Sequence, residues 1–151
     1  MKYKLIALLL LAVVSTSFAG EDLWTSDYDS ALKKAKKENR HVLLDFTGSD
    51  WCGWCIKLHK EVFDTEAFQA YAKDNLVLVE IDFPRKKSLP EDVADRNRKL
   101  GQKFEVRGYP TIWILGPDGT PVGQTGYRPG GGEPYVTHLK ELIQSGKSNQ
   151  H

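Results

Sequence analysis

Cys52 and Cys55 are the only cysteines in the 151-residue chain. A disulfide between them would close so short a loop that few unfolded conformations would be lost, which makes structural stapling a poor reason for the pair. Small exported domains that depend on disulfides space their cysteines to close larger loops. Redox chemistry explains the spacing better. The Cys52-Gly53-Trp54-Cys55 segment stands where a run of strand character gives way to one of helical character. Cys52 is then at a helix N-terminus, where unpaired amides and the helix dipole favour a thiolate. A free cysteine titrates near ~8.5, and such sites lower it to roughly 3.5–7.5. Cys55 falls one turn further in, within disulfide reach and more buried. The spacing predicts an exposed attacking sulfur, Cys52, and a resolving sulfur held back, Cys55.

A Cys-x-x-Cys pair also fits half a zinc site, or a haem attachment when His follows. Ile56 follows here, and the chain has no second such pair. The Pro129-Gly130-Gly131-Gly132 stretch lacks the Gly-Lys-Ser/Thr of a phosphate loop. Neither a metal nor a cofactor is expected. His59 lies one helical turn beyond Cys55 and reads as a surface or partly packed histidine, with proton transfer as the functional alternative.

The elements that position the pair follow from apolar patterning. Val42-Leu43-Leu44-Asp45-Phe46 reads as a strand covered on both faces. From Gly53 to about Phe63 the chain can be helical, with Ile56, Leu58, Val62 and Phe63 available for packing. Asp64 and Thr65 cap a short helix through Phe68 and Tyr71, and Leu76 to Phe83 is a second strand. Upstream, Ser26 to Asp29 caps a lysine-rich helix carrying Ala31, Leu32 and Ala35. Pro90 and Glu91 open another helix after a polar connection. Thr111 to Leu115 and Pro121 to Thr125 flank a Gly116-Pro117-Asp118-Gly119 turn, the proline placing the second strand at an edge. A last helix carries Val136, Leu139, Leu142 and Ile143. This order predicts an α/β fold with a central mixed sheet flanked by helices.

Apolar residues make up 40% and charged residues 27% of the chain, which fits a soluble globule and argues against disorder. The N-terminus differs. Lys2 and Lys4 precede an unbroken apolar run from Leu5 to Val14, and Ser17-Phe18-Ala19 fits a small-residue cleavage site. The run is about half of the ~20 residues that span a bilayer. The division expected is a signal peptide over 1–19, one domain over 20–145 and a flexible tail over 146–151. Export to a bacterial periplasm follows, with a membrane-anchored form as the alternative. Losing Lys2 and Lys4 lowers the basic count from 21 to 19 against 20 acids. So even a balance gives no electrostatic case for nucleic acid or an anionic membrane.

Taken together, Asp45-Phe46, Trp51-Cys52-Gly53-Trp54-Cys55 and Gly108-Tyr109-Pro110-Thr111 resemble, in order, the three signature regions of the thioredoxin-like superfamily. The resemblance covers roughly Val42 to Ile143. The segment from Gly48 to Phe68 is similar to secreted bacterial members and to the terminal thioredoxin domain of transmembrane disulfide reductases. It implies a thioredoxin fold, a redox disulfide Cys52–Cys55, Cys52 as nucleophile and Cys55 as resolving thiol. It further implies that Asp45 is the buried acid that helps take the Cys55 proton. Pro110 becomes the cis-proline beside the disulfide, with Tyr109 next to it. Trp51, Gly53, Trp54, Tyr109 and Pro110 become the substrate-contacting set. Three features depart from the pattern. The connection from Asp45 to Cys52 is one residue longer, Trp54 replaces a common proline, and Pro84 to Lys103 is extended, which predicts an extra or longer helix near the sheet edge.

The function implied is thiol–disulfide exchange with protein or peptide disulfides by a monomer, recycled by a membrane-bound thiol donor or acceptor. Reductases, isomerases and oxidases differ by reduction potentials spanning roughly 150 mV. The rival classes are a non-catalytic peptide-binding or chaperone module built on Trp51, Trp54 and Tyr109, and a metal carrier using both thiols with His59.

Overall fold

The computed structural model describes residues 22–148. The expected signal peptide over 1–19 and the end of the expected tail lie outside the described residues.

Five strands form one mixed sheet: β1 (Trp24–Thr25), β2 (His41–Thr47), β3 (Leu76–Asp82), β4 (Thr111–Leu115) and β5 (Pro121–Thr125). Their spatial order is β1-β3-β2-β4-β5. β3 runs parallel to both β1 and β2, while β2/β4 and β4/β5 are antiparallel. β2 is thus central, and its near-continuous burial suits a strand covered on both faces. β5 is the edge strand that Pro121 predicts. Two-residue β1 is too short to leave a periodic signal in sequence.

Alternation along β2 sorts the helices. Val42, Leu44 and Phe46 join the core on one face with α1 (Tyr28–Glu38) and α4 (Glu91–Lys103). Leu43 joins the core on the other face, under α3 (Glu66–Asn75), α5 (Gly132–Ser148) and the helix that follows the cysteines. By the same alternation Asp45 and Thr47 point toward that second face. The cap of α1 is Asp27, whose Oδ1 accepts the Ser30 amide at 3.0 Å.

Three local expectations change. The extended segment before Pro110 forms a polar loop and one 13-residue helix, α4, lying over a sheet face instead of adding an element at the edge. Asn97 secures α4 by donating to the Asp82 carbonyl at 2.9 Å. α5 continues past residue 145 to Ser148, because Gly146 is buried against Val122 of β5 and the helix stays packed there. Ile56 does not pack inward; it is 50% exposed beside the cysteines.

Candidate active site

Cys52 is the N-cap of α2 (Gly53–Leu58), with extended backbone at φ −85° and ψ 105°. Its Sγ accepts the Cys55 amide at 3.2 Å and is bonded to Cys55 Sγ, the two Cα atoms standing 5.3 Å apart. The expected exposure of Cys52 is not found in this oxidised form. Cys52 is 6% and Cys55 1% exposed. The asymmetry lies instead in the hydrogen bond, which only the Cys52 sulfur receives. An N–H directed at sulfur favours the thiolate over the thiol.

α2 does not continue as an α-helix. A π turn, His59–Phe63, follows it, closed by the Asp64 amide on the His59 carbonyl at 2.8 Å. Such turns are rare and often occur at functional sites. This one carries His59, whose Nε2 lies 2.8 Å from Asp45 Oδ2. Asp45 is completely buried, and its Oδ1 has no hydrogen-bond partner among the described residues. Burial pushes the Asp45 carboxyl above its ordinary value, and the His59 hydrogen bond offsets this only in part. Burial alone would lower His59, yet the Asp45 bond and the charges of Asp45, Glu80 and Asp64 carry it above the usual histidine value. Glu80 is the register partner of Asp45 on β3, and burial together with Asp82 and Asp45 raises it too. His59 is partly packed, as expected, and is also bonded to the buried acid; its i+4 spacing from Cys55 was the available signal.

The loop before Cys52 is clamped to the chain after β3. Trp51 Nε1 donates to the Phe83 carbonyl at 2.7 Å, and Arg85 lies over the same ring. Gly48 permits this closeness, since a β-carbon there would sit 2.6 Å from Trp51 Nε1. Asp82 accepts the Ser49 amide at 2.9 Å and pairs with Lys87 Nζ at 3.1 Å. Asp50 accepts three successive amides, from Arg85, Lys86 and Lys87, at 2.8–3.0 Å. Those bonds hold its carboxyl below the ordinary value. No sequence pattern marks Asp50 or Arg85, because the clamp depends on a loop–loop register.

Among the remaining expected residues, Tyr109 and Trp54 each pack against a different aromatic neighbour. The Tyr109–Pro110 peptide bond is cis. Tyr109 packs edge-on against Trp51 and is tilted against Phe83. Gly53 is exposed, and a β-carbon there would meet nothing within 4 Å. Trp54 is 58% exposed and leans on Tyr127, with the Lys57 ammonium over both rings. Tyr127 is held in turn by donating to Glu61 Oε2 at 2.6 Å. The two expected tryptophan contacts therefore separate. Trp51 is a half-buried clamp, and Trp54 is mostly exposed.

A family model described as a thioredoxin-like domain matches residues 28–131. The disulfide bond reductase DsbH of Chlamydia pneumoniae is 34% identical over 126 residues, covering 83% of this chain and 76% of the relative. The thioredoxin-related protein DsbJ of the same organism is 32% identical over 119 residues, which span only 34% of that longer protein. A solved structure titled DsbH oxidoreductase superposes with a TM-score of 0.76 at 36% identity, covering 80% of this chain and 83% of the other. The sheet order, the cysteine pair at a helix start and these likenesses agree: the chain has the thioredoxin fold and belongs to the thioredoxin-like family.

Proposed function

We propose that this protein is an exported thiol–disulfide oxidoreductase that reduces or isomerises protein disulfides through Cys52 and Cys55. The observation that carries the reading is the cysteine pair itself. It is disulfide-bonded at a helix start, one sulfur accepts an amide hydrogen bond, and a buried acid lies under the helix. The likeness to a protein named as a disulfide bond reductase favours the reducing direction. No cofactor is required, since two thiols carry the two electrons.

In the reaction, the Cys52 thiolate attacks one sulfur of a substrate disulfide and expels the other as a thiolate, leaving a mixed disulfide. Cys55 loses its proton and attacks the Cys52 sulfur. The substrate's second thiolate leaves and the Cys52–Cys55 disulfide forms. Asp45 provides the buried negative charge toward which the Cys55 proton is drawn. A membrane-bound thiol donor then returns the pair to the dithiol, and the protein acts as a monomer.

Gly53, Trp54, Tyr109 and Pro110 form the contact surface for the substrate chain. Open space at Gly53 admits a backbone beside the disulfide, the exposed Trp54 ring offers apolar area, and Pro110 leaves neighbouring backbone free to pair. Trp51 backs this surface by holding its loop. The basic, then apolar, then small-residue order of residues 1–19 supports secretion to the periplasm with a cleaved signal peptide. No helix among the described residues is long and apolar enough to cross a membrane.

Reduction of insulin by the wild type and Cys52→Ser tests the reading, and equal rates would overturn it. Exposure of both Trp54 and Ile56 favours a second reading, a non-catalytic peptide binder. That reading requires peptide binding to survive Cys52→Ser together with Cys55→Ser, and insulin reduction to be absent in the wild type. The carrier alternative is disfavoured because His59 Nε2 is already engaged by Asp45.

A further inference from the structure

A cavity of about 280 Å³ opens beside Cys55, lined among others by Thr47, Ser49, His59 and Glu80. Asp45 is fully buried and is not among the described residues that line it. Its carboxylate Oδ2 holds, at 2.8 Å, the Nε2 of His59, which does line the cavity. His59 is therefore the side chain that meets both the buried acid and the space in front of Cys55.

We propose that His59, oriented by Asp45, accepts the Cys55 proton through cavity water, so that the resolving step runs on a Cys55–His59–Asp45 relay. The proposal rests on the exchange reaction above and assigns the route its proton takes. His59 follows Cys55 by four residues, and its amide donates to the Cys55 carbonyl, so both side chains share a helix face. A water occupies about 30 Å³ of liquid volume, so the cavity has room for a bridge. With Nε2–H donated to the carboxylate, neutral His59 presents Nδ1 as an acceptor. A base oriented by a third group is a common way of activating a thiol.

The step balances. The Cys55 thiol gives its proton through water to His59, forming an imidazolium beside the Asp45 carboxylate. The Cys55 thiolate bonds to Cys52 sulfur, the bond from Cys52 to the substrate sulfur breaks, and the departing thiolate takes up the proton.

Several groups face His59: Asp45 from β2, Glu80 from β3, Asp64 after the π turn, and the rings of Trp24 and Phe63. Asp82 and Lys87 act on it indirectly, through Glu80. The three nearby carboxylates outweigh burial and raise His59, so the base form dominates only above the ordinary histidine value.

The test uses 5,5′-dithiobis(2-nitrobenzoate) with the reduced full-length protein. Cys52 attack releases a first thionitrobenzoate, and Cys55 resolution releases the second. In the wild type the second phase should quicken through an inflection above pH ~6.5. His59→Gln keeps an N–H for Asp45 but cannot titrate. It should slow the second phase at least roughly tenfold and erase that inflection. Asp45→Asn should move the inflection to lower pH. A His59→Gln protein with wild-type phases, alongside an Asp45→Asn protein without the inflection, would overturn the relay by showing direct transfer to Asp45. Independently of any variant, the His59 ring titration followed by NMR should differ between reduced and oxidised wild type, and identical titrations would also overturn it. Absence of a second phase in the wild type would instead remove the underlying exchange reaction.

Discussion

The guanidinium of Arg85 lies 3.6 Å from the centre of the Trp51 indole, on a ring whose Nε1 donates to the Phe83 carbonyl. One side chain thus fastens the loop that presents Cys52 to the chain leaving β3. Trp51→Phe keeps a smaller aromatic ring and loses the hydrogen bond to the Phe83 carbonyl, which should cost about 1 kcal/mol. Trp51→Ala also loses the packing and the cation–π contact and should cost roughly 3 kcal/mol. Urea unfolding measures both. Amide exchange of residues 85–87 should accelerate in the Ala variant, and unchanged exchange would contradict the clamp.

Asp45 and His59 make stability depend on pH with a definite sign. Burial raises the folded Asp45 value above its unfolded ~3.9, so the fold prefers the protonated acid. That contribution is complete below ~3.9 and falls as pH rises through the raised value. His59 is opposed by burial but raised on balance by its carboxylate neighbours, chiefly Asp45. Its contribution is present below ~6.5 and is lost as pH rises through its own raised value. Stability from both groups therefore declines toward alkaline pH. Asp45→Asn removes the buried charge and should be more stable than wild type at pH 8. His59→Ala strands the carboxylate and should cost roughly 1–3 kcal/mol at pH 8, and less at pH 5, since a carboxyl raised by burial takes up a proton more readily as pH falls. Urea midpoints at the two pH values decide this, and an Asn variant less stable at pH 8 would contradict it.

The C-terminal turn of α5 is part of the packed domain. A β-carbon at Gly146 would lie 2.7 Å from the Val122 carbonyl oxygen, which cannot swing aside as a side chain can. Gly146→Ala should cost roughly 1–3 kcal/mol by overpacking. Gly53→Ala meets nothing within 4 Å and should cost nothing through packing. Thermal unfolding of the two variants compares them, and equal losses would refute the contrast.

Trp54 is exposed, so its removal should spare stability and weaken substrate capture. Trp54→Ala should raise KM for reduction of a protein disulfide roughly tenfold, about 1.4 kcal/mol. The rate with a small aromatic disulfide, which needs less surface, should change far less. A variant with the wild-type KM for insulin would exclude Trp54 from the contact surface.

The sheet, its helices and the cysteine pair were legible because they rest on local signals. β2 and β3 are nearly continuous apolar runs, broken by Asp45 and Glu80, Asp27 and Thr65 are capping residues, and Cys52 stands where strand character ends. The clamp was not legible. Asp50 contacts amides 35 to 37 residues away, a register that no periodicity encodes. His59 lay between these cases. Its spacing from Cys55 was visible, but its bond to Asp45 requires both the tilt of the π turn and the inward face of β2. The exposure of Ile56 was missed because an apolar residue on a short helix reads as core, and here Cys55 and Leu58 take the buried face of α2 instead.

The division of labour between the two sulfurs is tested most directly by trapping. Reduced Cys55→Ser is mixed with a disulfide-linked peptide, and its intact mass and peptide map are recorded. A stable mixed disulfide on Cys52 is expected, with none forming in Cys52→Ser under the same conditions. Equal adducts on Cys55 in the Cys52→Ser protein would contradict Cys52 as the attacking sulfur.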